Sequence, residues 1–216
     1  MPLLQAVVKR PKHLPSDTAR VWFLPNETPY FYWLIPESRD RGVLGLIGER
    51  GADTRRCMER FLDKQGLTAL EYQGARIPVY ERWVPPMRRL GGGRVLLVGD
   101  AAGHVKVTTV GGIVTGFLGA LGIVEAVLNG GSSRVLRTLR RELDLHRLVR
   151  RTLHRFTEAD YLRLLDAMNG SARRLLSAYT RDEATPLLVR LCLGQPRFMF
   201  LGLRALLKAG LNRSAG

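Results

Sequence analysis

An acidic residue closing one apolar run, and a glycine pair opening the next, can together hold a ligand. That pattern occurs in RVLLVGDAAGHVKVTTVGGIVTGFLGALGIVEAVLNGG, residues 94–131. Asp100 ends RVLLVGD, which reads as a short strand buried on both faces. Ligands of α/β proteins bind at the carboxyl ends of such strands. The carboxylate has two uses there: accepting hydrogen bonds from ligand hydroxyls, or capping the turn that GDAAG makes. Gly111 and Gly112 open a helix expected over 111–128. Backbone amides at a helix start lack partners and lie at the positive end of the dipole. Two missing side chains clear the approach, so the site suits an anion or an electron-rich ring edge.

Gly116, Gly119 and Gly122 recur every third residue of the same helix. Each costs about 1 kcal/mol of helix propensity relative to alanine. A ridge of three predicts that another element packs closely along it. The run Val110–Leu128 is 19 residues long, near the length that spans a bilayer. Glu125 interrupts it and the glycines lower its hydrophobicity, so it is read as a globular helix. His104 and Lys106 lie in the loop between Asp100 and the glycines. Each has a chemical reading, proton donor and phosphate contact respectively, and each is expected to be solvated instead.

The elements around this stretch follow from periodicity. Residues 19–48 are rich in aromatic and β-branched types and broken by PNETP and ESRDRG, which reads as several antiparallel strands. Residues 53–65 read as a helix capped by Asp53, with Cys57, Met58, Phe61 and Leu62 on one stripe. GARIPVY, 74–80, reads as a further strand. NGG stops the glycine-studded helix. Helical patterns follow over 133–154, 158–168, 170–179 and 185–209, the last broken near Gly194 and Pro196.

Composition narrows the class. With 45% hydrophobic and 25% charged residues among 216, a sizeable core is available. Net charge is +15, and residues 134–216 hold 17 basic against 7 acidic residues. Such a surface attracts phosphates, of lipid headgroups or nucleic acid. The arginine-rich run 134–156 puts apolar residues at helical spacing with arginines opposite. A membrane-docking face and a plain solvated face are both open readings. TPLLVRLCLGQPRFMFLGLRALLKAG, 185–210, is more apolar and suits a tunnel cover or a bilayer contact. Cys57 and Cys192 form no metal-ligand spacing, so a reduced cytoplasmic protein is expected and no metal. The first residues do not have the order of a signal peptide. The N-x-Ser/Thr matches at Asn26, Asn169 and Asn212 are read as chance.

GDAAGHVKVTTVGGI closely resembles the GDAAGHVKPTTGGGI signature of the geranylgeranyl reductase family. These FAD-dependent oxidoreductases saturate isoprenoid chains, and their architecture resembles that of para-hydroxybenzoate hydroxylase. The resemblance implies that Asp100 binds the ribitol of FAD, with Gly99 and Ala101 beside it. It also implies that the amides of Gly111, Gly112 and Ile113 face the isoalloxazine edge. Reduced flavin is negative along that edge, which a helix N-terminus stabilises. Two residues depart from the signature. Val107 replaces proline, and Val110 replaces a glycine, where a β-branched residue at positive φ would be strained. A weaker likeness joins FYWLIP and GVLGLIG to the family's lipid-cavity motif. It implies substrate contacts from Phe31, Trp33, Pro36 and Gly45, with Ile35 and Ile47 replacing an aromatic and a glycine. Ordinary core packing of these aromatics is the competing reading.

The resemblance covers about residues 20–130. The Gly-x-Gly-x-x-Gly strand–turn–helix that holds the ADP half of FAD in the family does not occur in this sequence. Gly91–Gly93 precedes a strand rather than following one, which is the wrong context. The expected fold is therefore α+β without the N-terminal Rossmann half. It comprises a substrate-domain sheet with one helix (1–88), an FAD-contact strand and helix (89–132) and a basic helical region (133–216). The expected function is the C-terminal part of a geranylgeranyl reductase-like enzyme that reduces polyprenyl double bonds. It would need a partner chain carrying the dinucleotide-binding half, and a truncated or decayed gene is the other account of the missing part. A non-catalytic binding module for isoprenoid lipid or membrane is the alternative. Within the same architecture, a flavin hydroxylase or halogenase is another, disfavoured by the extra Gly103. The expected location is cytoplasmic, peripheral on the inner face of the membrane, with an isoprenoid lipid as substrate and no nucleic acid partner.

Overall fold

The computed structural model describes residues 1–49, 53–180 and 183–211, with side chains considered up to Ala205. It has the α+β character expected, and it divides into two compact units, Met1–Ile77 and Pro78–Gly216. The sequence had suggested divisions after residues 88 and 132.

The first unit is a five-stranded antiparallel sheet with a helix on one face. Its strands are β1 (Pro2–Lys9), β2 (Arg20–Trp22), β3 (Tyr32–Pro36), β4 (Arg41–Ile47) and β5 (Ala69–Arg76), in the order β2-β3-β4-β1-β5. Helix α1 (Thr54–Gln65) begins where Asp53 accepts from the Arg56 amide at 3.0 Å and ends at left-handed Gly66. It lays Met58, Phe61 and Leu62 on Ala6, Val8, Tyr32, Leu34, Leu44 and Leu46. Tyr32 stacks on Phe61 at 4.2 Å, and its hydroxyl donates to Glu27 at 2.8 Å. Burying a ring such as Phe61 contributes about 2–3 kcal/mol.

Two strands differ from the sequence reading. β1 was not anticipated, yet it lies inside the sheet between β4 and β5. The strand expected over 74–80 lies earlier, over Ala69–Arg76. Pro78 has no amide to continue a ladder, and the exchange between Met1 and Ile77 backbones is its last rung.

The second unit begins with a two-stranded hairpin, β6 (Met87–Leu90) and β7 (Gly93–Leu96), turned by Gly91 and Gly92. A 3-10 turn over Gly99–Ala102 follows, then a loop. Next come the helices α2 (Ile113–Leu128), α3 (Arg134–Leu153), α4 (Glu158–Ala167), α5 (Gly170–Ala178), α6 (Ala184–Gly194) and α7 (Pro196–Leu211). Their boundaries fall within a few residues of the expected ones. The break between α6 and α7 is at Gln195, just before Pro196. The strand expected to be buried on both faces is not: Val95, Leu96 and Val98 are all exposed. β7 has one neighbouring strand among the described residues. None of the described helices is long and apolar enough to cross a membrane.

Candidate functional site

The loop after β7 folds back upon itself. Gly99 and Gly103 both have positive φ. The Gly103 amide reaches Asp100 O at 3.0 Å and the His104 amide reaches Gly99 O at 3.0 Å, closing the 3-10 turn. Lys106 and Gly111 then pair as an antiparallel bridge, pinching residues 107–110 into a tight bend. The bend places the Gly-Asp turn directly against the start of α2. A Cβ added to Gly112 would lie 3.1 Å from Asp100 Oδ1 and 3.3 Å from Val105 Cγ2. The carboxylate and the glycine that caps α2 are therefore neighbours. No side chain caps that helix start. Asp100 and Ile113 are both exposed, Ile113 by 78%. The helix start and the acid thus share one open surface.

The glycine ridge of α2 packs as its spacing implied. Gly116 meets the Gly99 backbone, Gly119 lies against the His104 ring, and Gly122 lies on Leu136 of α3. Glu125, the acid inside this apolar helix, has a structural task that the sequence reading missed. It accepts from Ser133 Oγ at 2.5 Å and from the Val135 amide at 3.1 Å, so it caps α3 from its neighbour. Those bonds, with Ser133 first, hold its carboxyl below the usual range. An acid followed eight residues later by Ser-x-x-Leu was the available signal.

Two loop residues depart from the solvated reading. His104 is fully buried, stacked on Trp83 with ring centroids 5.6 Å apart. Among the described residues neither ring nitrogen has a hydrogen-bond partner, and burial lowers the ring's pKa. A neutral, enclosed imidazole is a poor proton donor; it packs the loop. Its carbonyl accepts from Thr115 Oγ1 of α2, a second tie between loop and helix. Lys106 is also buried, its Cε near Gly111. Val107, at the signature's proline position, is buried with Tyr80, Leu139 and Leu143. Val110, at the signature's glycine position, has φ +54°. The left-handed conformation is kept although a β-branched residue occupies it.

The comparisons bear on the chain as a whole and on its fold. No family model matches the sequence. Over 102 residues, 45% of this chain, it is 30% identical to digeranylgeranylglycerophospholipid reductase 2 of Methanothermobacter thermautotrophicus. Over that stretch this chain is similar to a geranylgeranyl reductase. Its fold is similar to that of a geranylgeranyl bacteriochlorophyll reductase-like protein from Thermoplasma acidophilum. The TM-score is 0.61 at 16% identity, over 88% of this chain and 53% of that one. A myxobacterial chondrochloren halogenase aligns with a TM-score of 0.42, at 18% identity, over 90% of this chain and 48% of that one. The match spans 26% of the curated reductase and 53% of the solved relative, so both are much longer than the part they share with this chain.

The weaker reductase-like motif lies in the first unit. Side chains alternate along a strand, so Phe31, Trp33 and Ile35 project to the face opposite α1. Gly45 is the cross-strand partner of Trp33, and the indole lies across it so closely that a Cβ would collide. Phe31 meets Trp33 edge-on at 5.9 Å, and Phe23 meets Phe31 at 5.9 Å. Three aromatics thus form a line on that face. Pro36 is placed apart from them, on the side of Tyr32 and Leu34, paired with Gly42.

Proposed function

We propose that this chain is the flavin-facing and substrate-facing part of an FAD-dependent reductase of isoprenoid double bonds. A dinucleotide-binding half outside these 216 residues completes it. One observation carries the reading: the Asp100 carboxylate sits beside an uncapped, glycine-opened helix start on an exposed surface. The residues fit the cofactor. Asp100, flanked by Gly99 and Ala101, would accept from ribitol hydroxyls. The amides of Gly111, Gly112 and Ile113 would stabilise negative charge on the ring edge. The flavin, when bound, supplies the hydride for a carbon–carbon double bond. Phe31, Trp33 and Gly45 give an aromatic face for an apolar chain.

The same surface supports the need for a second half. Apart from Thr115 and Glu125, whose side chains bond within the unit, α2 is apolar on all sides. Gly119, Gly122, Ile123 and Ala126 are buried, while Ile113, Phe117, Leu121, Val124 and Leu128 form an exposed stripe. A helix without a polar face belongs inside a larger core. The free edge of β7 and its exposed Val95, Leu96 and Val98 extend the apolar surface. A dinucleotide-binding domain that adds strands beside β7 and covers α2 satisfies both.

The test is to co-express the chain with a polypeptide carrying the Gly-x-Gly-x-x-Gly strand–turn–helix, encoded next to it. A co-purifying yellow complex that saturates a geranylgeranyl lipid under reducing conditions is the expected result. Asp100→Ala should weaken FAD retention by about tenfold, the loss of one or two hydrogen bonds to a polyol. A colourless complex, or an Asp100→Ala complex with unaltered FAD content, refutes the assignment.

A further inference from the structure

The basic surplus of the C-terminal region is not evenly available. On α3, Arg137 donates to Ser132, Arg140 pairs with Asp144, Arg147 donates to the Glu81 carbonyl, and Arg150 is buried. Much of that helix's charge is engaged within the protein. α6 and α7 differ. Residues 184–216 contain Arg190, Arg197, Arg204, Lys208 and Arg213 and no acidic residue. Along the two helices the outward positions are Val189, Arg190 and Leu193, then Arg197, Met199, Phe200, Leu203 and Arg204. Apolar and basic side chains are interspersed among the exposed positions of each helix. Leu193 is 80% exposed and Phe200 67%. The inner face is already used, with Ala184, Leu191 and Ala205 buried in the helical unit.

We propose that the outer face of α6 and α7 docks on an anionic lipid surface. Charge decides the occupant's sign, since Arg190, Arg197 and Arg204 outnumber the acids near them, Asp166 beside Arg197 and Glu183 at the start of α6. The apolar residues decide its kind. A nucleic-acid face presents cations to phosphates and gains nothing from an exposed leucine. At a bilayer, Leu193, Phe200 and Leu203 enter the acyl boundary, while the long arginine side chains reach back to headgroup phosphates. The pattern is that of an interfacial helix pair lying on the membrane, since neither helix can cross it.

The proposal is independent of flavin binding, and its test needs no cofactor. The full chain is floated with phosphatidylcholine vesicles, with or without a third of phosphatidylglycerol, at low and high salt. Binding to anionic vesicles should exceed that to neutral ones by about tenfold and fall with salt. L193D/F200D should abolish binding while the far-UV circular dichroism stays that of the parent. R197Q/R204Q should remove the preference for anionic lipid. As a gain of signal, Phe200→Trp should add fluorescence that shifts to the blue on anionic vesicles only. Phe117→Asp, on the exposed stripe of α2, should bind as the parent does. The proposal is overturned if L193D/F200D binds normally, or if Phe117→Asp alone abolishes binding. It is also overturned if a nucleic-acid duplex displaces the chain from vesicles and binds L193D/F200D equally well.

Discussion

Gly119 offers a test of how the Gly-Asp loop is held. A Cβ there would fall well inside 3.0 Å of the His104 ring, a separation that real Cβ atoms do not reach. The ring cannot swing away freely, because Trp83 stacks on its other side and Thr115 ties its carbonyl to α2. Gly119→Ala should gain about 1 kcal/mol of helix propensity and lose about 1–3 kcal/mol to overpacking. The net expectation is a destabilised protein, by about 1–2 kcal/mol at the unfavourable end of that range. In a His104→Ala background the obstacle is gone, so the same substitution should stabilise by about 1 kcal/mol. The sign reverses, and the coupling between the sites is about 2–3 kcal/mol. Urea denaturation of the four proteins at neutral pH, followed by far-UV circular dichroism, measures it. If Gly119→Ala stabilises both backgrounds equally, the ring does not press on α2 and the account of the loop fails.

Other substitutions probe the same region and the first unit. Val110→Gly should stabilise by roughly 1 kcal/mol, since a left-handed residue with a side chain costs about 1–2 kcal/mol and glycine's extra entropy offsets part; a midpoint at or below the parent's would show the bend is unstrained. His104 titrates below its ordinary value of about 6.5 because it is buried, so the unfolded chain takes up its proton first and stability falls as pH drops below about 6.5. Parallel pH–stability curves for the parent and His104→Gln would contradict that. Gly45→Ala should cost about 1–3 kcal/mol by displacing Trp33, and a tryptophan emission maximum that does not move would place the indole elsewhere.

Much of the fold was legible because local signals agreed. Asp53 before a stripe of Met58, Phe61 and Leu62 fixes α1 in sequence and in structure. The three-residue glycine spacing announced a close-packed ridge, and each glycine has its neighbour. Position 110 was legible as a glycine site of the signature, but that a valine there would keep positive φ rather than relax the loop was not. What escaped depends on partners far along the chain. β1 takes its place from pairing with strands some forty and seventy residues later. The burial of His104 depends on Trp83 and on the missing side chain of Gly119, neither of which marks a loop histidine as enclosed. Apolar RVLLV looked buried because apolar runs usually are, yet burial belongs to what stands beside a strand. The face that carries Phe31 and Trp33 became visible only with the register of β3 against β4, which put Pro36 on the other side.

The two departures from the reductase signature act in opposite directions on one bend. Val110 holds a left-handed conformation at a cost of about 1–2 kcal/mol, and strain of that size persists only where the surroundings over-determine it. Val107, three residues earlier, supplies part of that determination. Its side chain is buried with Tyr80, Leu139 and Leu143, and a fully buried valine contributes about 1.5–2 kcal/mol. Proline would stiffen the chain at that position with less apolar surface reaching α3. The anchor and the strain are therefore of similar size, and the bend keeps the shape that sets Asp100 against Gly112. Had Val110 relaxed to negative φ, the Lys106–Gly111 bridge would open and the acid would separate from the helix amides. The left-handed bend thus persists with a valine in it, held from Val107.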